Sequence, residues 1–257
     1  MASQKPHLLV TNDDGITSPG LLALKDALVE VGHVTVLAPN HNWSASGHVK
    51  TMHKPLRVDE VTLVDGTPAL TTDGAPSDAV ALAFLGIVER PIDMVVSGIN
   101  RGANLGHDVT YSGTVTAAME GAIAGVPAVA VSLNSHTHED FSVAGRFAAR
   151  LVRQVLARGL LEGILLNINV PPLSADQIAG ALVTRMGLRI YRDELVRRLD
   201  PRGRPYYWIG GPPPTGVEEE GTDIWAVAHG YISVTPIQLD LTAHNMLSTL
   251  QGWDLAL

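Results

Sequence analysis

Five short apolar runs constrain this chain's fold more than any other feature: His7–Thr11, Val34–Ala38, Asp93–Ser97, Ala128–Val131 and Ile164–Val170. Such runs suit strands buried on both faces. Helix-like segments lie between them. In Ser18–Gly32, Ser18 can cap and Pro19 takes the first helical position, while Leu21, Leu22, Leu24, Ala27, Leu28 and Val31 recur at helical spacing. Further helices are expected over about Gly113–Ala124 and around Ser142–Ala157. Apolar strands alternating with helices predict an α/β fold whose mostly parallel sheet is covered on both faces.

Composition narrows the class. The 257 residues allow one sizeable domain or two small ones, and 46% hydrophobic against 17% charged residues describes a packed globular chain. There is no cysteine, so disulfides, thiolate metal sites and cysteine nucleophiles are excluded. The formal charge of −8 argues against polymeric nucleic acid as a partner, although a bound cation can reverse the local field for a small phosphorylated ligand. The polar start Met1–Pro6 lacks an apolar signal core, and no apolar run approaches the roughly 18 residues of a membrane span, so a cytoplasmic protein without membrane contact is expected.

Two regions depart from the alternation. Lys50–Thr72 is rich in Val, Thr and turn residues, as in small β hairpins. The stretch from Leu188 to Val217 carries Arg192, Arg197, Arg198, Arg202 and Arg204, then Tyr206, Tyr207 and Trp208. It does not read as core. A protruding arm over 188–217, packing on another subunit of a single 1–257 domain, is preferred to a surface loop.

Ligands in an open parallel sheet bind beyond the carboxyl ends of the strands, and three polar clusters fall there. Asn12-Asp13-Asp14-Gly15 follows the first strand. Adjacent carboxylates repel, so a shared cation accounts for them, while turn chemistry is the plainer account. Oxygen donors favour Mg2+, Mn2+ or Ca2+. The second cluster, Asn40–Gly47, offers the hydroxyls of Ser44 and Ser46, or is a plain loop. The third runs from Ser97 to Asp108 with Gly98, Asn100, Gly102, Asn104 and Gly106, followed by Tyr111-Ser112-Gly113-Thr114 at a helix start. Glycines, amides and free helix N–H groups form an anion site, and N-capping by Ser112 is the simpler alternative. A double Asp with a glycine-rich anion loop suggests metal plus phosphate.

The segments Val10–Ile16, Val96–Asn104 and Asp108–Val115 resemble the signatures of the survival protein E (SurE) family, as do Asp200–Arg204 and the region from Thr222-Asp223 through Ser233-Val234-Thr235-Pro236. The resemblance implies a metal-dependent phosphatase acting on nucleoside 5′- and 3′-monophosphates, and also on short polyphosphate. It implies a Rossmann-like three-layer core with an arm exchanged between subunits, in a homodimer or homotetramer. By matching motif positions, Asp13, Asp14, Ser44 and Asn100 would hold one divalent ion per subunit, Mg2+ or Mn2+. Asn104 and Ser112, with the backbone around Gly113 and Thr114, would hold phosphate, and Asp13, Asp14, Asn104 and Ser112 would serve catalysis. Trp43-Ser44-Ala45-Ser46-Gly47 departs from the family's usual Ser-Gly pair, and alignment from Ala38-Pro39 favours Ser44.

Two other functions fit parts of the sequence. A haloacid-dehalogenase-type phosphatase needs an Asp nucleophile where Asn12 stands. A non-catalytic nucleotide-binding module explains the glycine-rich loop but not the paired carboxylates. Direct attack by water is expected. The general acid is open between His107 and His48, with His136 and His138 read as surface loop residues.

Overall fold

The computed structural model describes residues 5–255, so most of the polar start lies outside the described residues. The elements run β1 (His7–Thr11), α1 (Pro19–Leu28), β2 (His33–Pro39), β3 (Val58–Thr62), β4 (Pro68–Thr72), α2 (Pro76–Leu82), β5 (Met94–Arg101), α3 (Gly113–Ile123), β6 (Ala128–Leu133), α4 (Ser142–Arg158) and β7 (Ile164–Val170). They continue with β8 (Gly180–Val183), β9 (Arg189–Ile190), β10 (Glu194–Leu199), β11 (Pro205–Gly210), β12 (Thr215–Gly216), α5 (Asp223–Ala228), β13 (Tyr231–Gln238) and α6 (His244–Gln251).

A nine-stranded sheet in the order β3-β4-β2-β1-β5-β6-β7-β13-β8 forms the centre. The run from β4 to β7 is parallel throughout. β3 pairs antiparallel with β4, and β13 antiparallel with β7. Alternation along the strands divides the core. Leu8, Val10 and Val96 pack with Leu21, Leu24 and Leu28 of α1 and Ala148 and Val152 of α4. Leu9, Leu37 and Val95 pack with Ala79 and Val80 of α2 and Val115 and Ala118 of α3. The result is the expected three-layer α/β core. Among the described residues no helix is long and apolar enough to cross a membrane.

The five apolar runs all become central strands, with boundaries that differ instructively. β5 continues three residues past Ser97 to Asn100 and beyond, with a register shift against β6 between Ser97 and Asn100. Asn100 therefore sits on a strand and not in a free loop. α1 ends at Leu28, and Val31 falls in the following turn. The hairpin expected in Lys50–Thr72 is β3–β4, while residues 50–57 are irregular. α2 gave no clear periodic signal. Pro76 begins it, and Asp78, buried, accepts hydrogen bonds from the Ala75 N–H at 2.9 Å and the Thr51 N–H at 2.9 Å.

The 188–217 stretch forms an antiparallel hairpin, β10–β11, in which Arg197 faces Tyr207 and Arg198 faces Tyr206. Tyr206, Tyr207, Trp208 and Ile209 are all exposed. The hairpin springs from the β9–β12 pair at its root.

Candidate active site

The carboxyl ends of β1 and β5, the loop after β2 and the start of α3 meet around one cleft of about 360 Å³. Asp13, Ser44, Asn100, Asn104 and Ser112 all line it.

The first loop is built as a turn. Asn12, fully buried, donates from Nδ2 to the Gly15 carbonyl at 3.0 Å and accepts the Gly15 N–H on Oδ1 at 3.2 Å. That Asx turn fixes the backbone and leaves Asp13 and Asp14 to other partners. Asp13 Oδ1 accepts a hydrogen bond from the Thr114 hydroxyl. Asp14 Oδ2 accepts the Arg101 N–H at 3.1 Å, and its Oδ1 accepts from Asn42 Nδ2 at 3.3 Å. Burial, only partly offset by the Thr114 hydroxyl, pushes the Asp13 carboxyl up to about 6 from its ordinary 3.8. Burial also raises Asp14, with the Arg101 N–H and guanidinium pulling the other way. Asp13 is buried and Asp14 half-buried, and the Arg101 guanidinium offsets part of the Asp14 charge.

Gly113 sets the spacing between this centre and the helix. A Cβ built on Gly113 would lie 2.7 Å from the Asp13 Cβ and 3.1 Å from its Oδ2, so only glycine lets the α3 N-terminus come this close. Ser112 caps α3, its Oγ accepting the Val115 N–H at 3.1 Å. The Gly113 and Thr114 N–H groups, at the first positions of the helix, have no intrahelical acceptor. The N-cap and anion-site readings of Ser112 are thus compatible. Thr114 is fully buried and its hydroxyl is committed to Asp13, so its side chain is not offered to the cleft.

Asn100 Nδ2 donates to the Gly102 carbonyl at 2.8 Å, and its Oδ1 accepts no hydrogen bond among the described residues. Ser44 is exposed on the cleft, whereas the Ser46 hydroxyl is buried, without a partner and away from it. The Trp43 N–H donates to the Asp13 carbonyl at 2.8 Å, which ties the Ser44 loop to the first loop. Asp13, Ser44 and Asn100 offer oxygen donors to the cleft, beside the nitrogens of Arg101, His136 and Arg189, and among the described residues no three His, Cys, Asp or Glu side chains are placed to hold a metal ion together. Two carboxylates, a free amide oxygen and a hydroxyl fit a hard divalent cation better than zinc.

Asn104 is gripped by polar residues of two neighbouring strands. Its N–H donates to Asn169 Oδ1 at 2.8 Å. Its carbonyl accepts from Asn167 Nδ2 at 2.8 Å and Asn169 Nδ2 at 3.0 Å, and its own Nδ2 donates to Ser132 Oγ at 2.8 Å. All four residues are buried, and Asn167, Asn169 and Ser132 stand on β7 and β6. A polar residue recurring every second position in the apolar run Ile164–Val170 was the available signal.

The arm reaches the same cleft at its root. Arg189 Nε donates to Asp108 Oδ2 at 2.7 Å and the Tyr191 hydroxyl to Asp108 Oδ1 at 2.6 Å, and all three line the opening. Burial and the Asp108 carboxylate push the Tyr191 hydroxyl far up. Asp223 at the start of α5, wholly buried, accepts the Gly106 N–H at 2.8 Å and the Gly187 N–H at 2.7 Å, joining the anion loop to the arm root. Neither histidine considered as an acid reaches the cleft. His48 pairs with Glu120 at 2.7 Å and His107 is not among the residues lining the cleft, while His136, exposed in its loop, is.

A three-layer α/β domain with a buried Asp13 set against a helix N-terminus, in a cleft also lined by Arg101, Arg189 and His136 at the carboxyl edge of a parallel sheet, fits a phosphate-ester-binding class of protein. Within that class the chain belongs to the Survival protein SurE family, whose pattern matches residues 8–193. It is 56% identical over 238 residues to the 5′-nucleotidase SurE of Herpetosiphon aurantiacus, covering 92% of this chain and 93% of that one. It is 54% identical over 250 residues to the 5′-nucleotidase SurE of Chloroflexus aggregans, covering 96% and 99%. The crystal structure of the SurE protein from Aquifex aeolicus matches with a TM-score of 0.81 at 41% identity, over 96% of this chain and 98% of that one.

Proposed function

We propose that the chain is a divalent-metal-dependent phosphomonoesterase that hydrolyses nucleoside 5′-monophosphates to nucleoside and phosphate, with 3′-monophosphates and short polyphosphate as further substrates. The observation that carries this reading is the convergence of Asp13, Ser44, Asn100, Asn104 and Ser112 on one cleft against the α3 N-terminus. The names of the relatives support the choice of nucleotides.

In this reading Asp13, Asp14, Ser44 and Asn100 hold one Mg2+ or Mn2+, which neutralises phosphoryl charge when bound. The Gly113 and Thr114 N–H groups and Ser112 hold the phosphoryl oxygens. Asn104 has a second Nδ2 proton beyond the one given to Ser132, free for the same task. Water attacks phosphorus in line with the leaving oxygen. Asn12 stands where a carboxylate nucleophile would be needed. Thr114 does have a carboxylate beside it, supplied by Asp13 across the fold, but its hydroxyl is tied to that carboxylate, which this reading assigns to the metal.

The same reading takes 188–217 as an oligomerisation arm of a single domain, in a cytoplasmic homodimer or homotetramer. The exposed aromatic face of β10–β11 supports it, since exposed apolar patches of this kind mark contact surfaces. Release of phosphate from a panel of nucleoside 5′- and 3′-monophosphates and p-nitrophenyl phosphate tests the activity. Nucleotide binding without any release, at every metal tried, would favour a binding module instead.

A further inference from the structure

We propose that His136 gives the proton to the leaving nucleoside oxygen, an inference that rests on the phosphomonoesterase reading above. The position of the ring carries it. His136 stands in the loop after β6, beside the carboxyl end of β5, and its imidazole lies directly over Gly102. A Cβ at Gly102 would come within 2.3 Å of His136 Cε1 and 2.9 Å of its Nε2. Gly102 has φ +103°, so its missing side chain leaves the space that the ring fills.

The loop is held on both sides of the histidine. The Gly102 N–H donates to the Leu133 carbonyl at 2.9 Å and the Asn134 N–H to the Val170 carbonyl at 2.8 Å. Beyond it, Ser135 Oγ accepts the His138 N–H at 2.9 Å. The ring itself makes no hydrogen bond among the described residues, so both nitrogens are available to a ligand.

Elimination within the cleft points the same way. Asp108 already accepts from Arg189 and Tyr191, and the Tyr191 proton is held by that carboxylate. Arg101 and Arg189 do not release protons. Tyr111 offers a phenol, a weaker acid than imidazolium, and imidazole is the side chain suited to proton exchange near neutrality.

The step balances. The oxygen of water forms a bond to phosphorus, and the bond from phosphorus to the nucleoside oxygen breaks with its electron pair on that oxygen. The oxygen takes the His136 proton to become the nucleoside hydroxyl. The surplus proton of the attacking water goes to solvent, from which the imidazole is recharged.

The test exploits leaving groups. An alkoxide needs a proton to depart, whereas p-nitrophenolate leaves without one. In His136→Gln and His136→Ala, kcat for a nucleoside 5′-monophosphate should fall about 100-fold or more, while kcat for p-nitrophenyl phosphate changes less than about threefold. His138→Ala, outside the cleft, should match wild type on both substrates. The side chain of His136 is exposed, so the variants are expected to fold. Equal losses on both substrates, or no loss on the nucleotide, would overturn the inference while leaving the phosphomonoesterase reading in place. A wild-type protein inert toward both substrates would overturn that reading and this inference with it.

Discussion

Gly113 and Asp13 are in mutual contact across the fold, and the contact exists only because position 113 lacks a side chain: a Cβ there would stand 2.7 Å from the Asp13 Cβ. The helix N-terminus and the acidic loop are thereby set at a spacing that one methyl group would change. Gly113→Ala should cost about 1–3 kcal/mol in stability through overpacking and lower kcat about 100-fold, because the anion site and the carboxylates would be forced apart. Thermal melts and steady-state kinetics on the same preparation check this. A variant that folds with unchanged kcat would show that the spacing does not matter.

Asp13 carries a stability cost with a definite pH signature. Its folded value of about 6 lies above its ordinary 3.8, chiefly through burial. A raised carboxyl contributes stability that is intact below 3.8 and lost as pH rises through about 6. The gap corresponds to about 3 kcal/mol in the metal-free protein. Asp13→Asn should therefore be more stable than wild type at pH 7 to 8 in chelator, by up to about 3 kcal/mol, and lose that advantage near pH 4. It should also lose about a thousandfold or more in turnover. Denaturation of both proteins across that range, without metal, is the measurement.

Asn169 holds the Asn104 peptide from both sides, accepting its N–H at 2.8 Å and donating to its carbonyl at 3.0 Å. Asn169→Ala strands a buried N–H and should cost about 1–3 kcal/mol. Asn104 would also lose its fixed place, so kcat should fall by one to two orders of magnitude, the scale of a 1 Å displacement. Urea unfolding together with kinetics separates the two effects.

Trp208 faces Val196 across the β10–β11 hairpin and is 64% exposed. If the arm packs on a second subunit, light scattering at micromolar concentration should report a dimer or tetramer, and Trp208→Glu should shift it toward monomer. A wild-type monomer would contradict the proposed arm.

The parallel core was legible because its strands are apolar on both faces and its helices start at marked positions: Ser112 caps α3, and Pro19 takes the first position of α1, although the Ser18 hydroxyl makes no capping hydrogen bond. The Asn12–Gly15 and Ser97–Asp108 clusters were legible at strand ends and Ser112 at a helix start, while the family resemblance singled out Asp13, Asn100, Asn104 and Ser112 within them. What escaped depended on long-range packing. Asn167 and Asn169 sit inside an apolar run, and only the fold turns them toward Asn104, more than sixty positions away in sequence. α2 is seven residues long and built on Pro76 and the buried Asp78, without a helical apolar stripe. His136 gave no local signal, because what marks it is Gly102 beneath its ring.

The central claim, metal-dependent hydrolysis of nucleotides at the Asp13–Asp14 loop, is tested most directly by exhaustive chelation verified by elemental analysis, followed by assay with a nucleoside 5′-monophosphate. The account predicts that the metal-free protein stays folded and loses activity, and that added Mg2+ or Mn2+ restores it. Full activity in a preparation shown to contain no metal would contradict it.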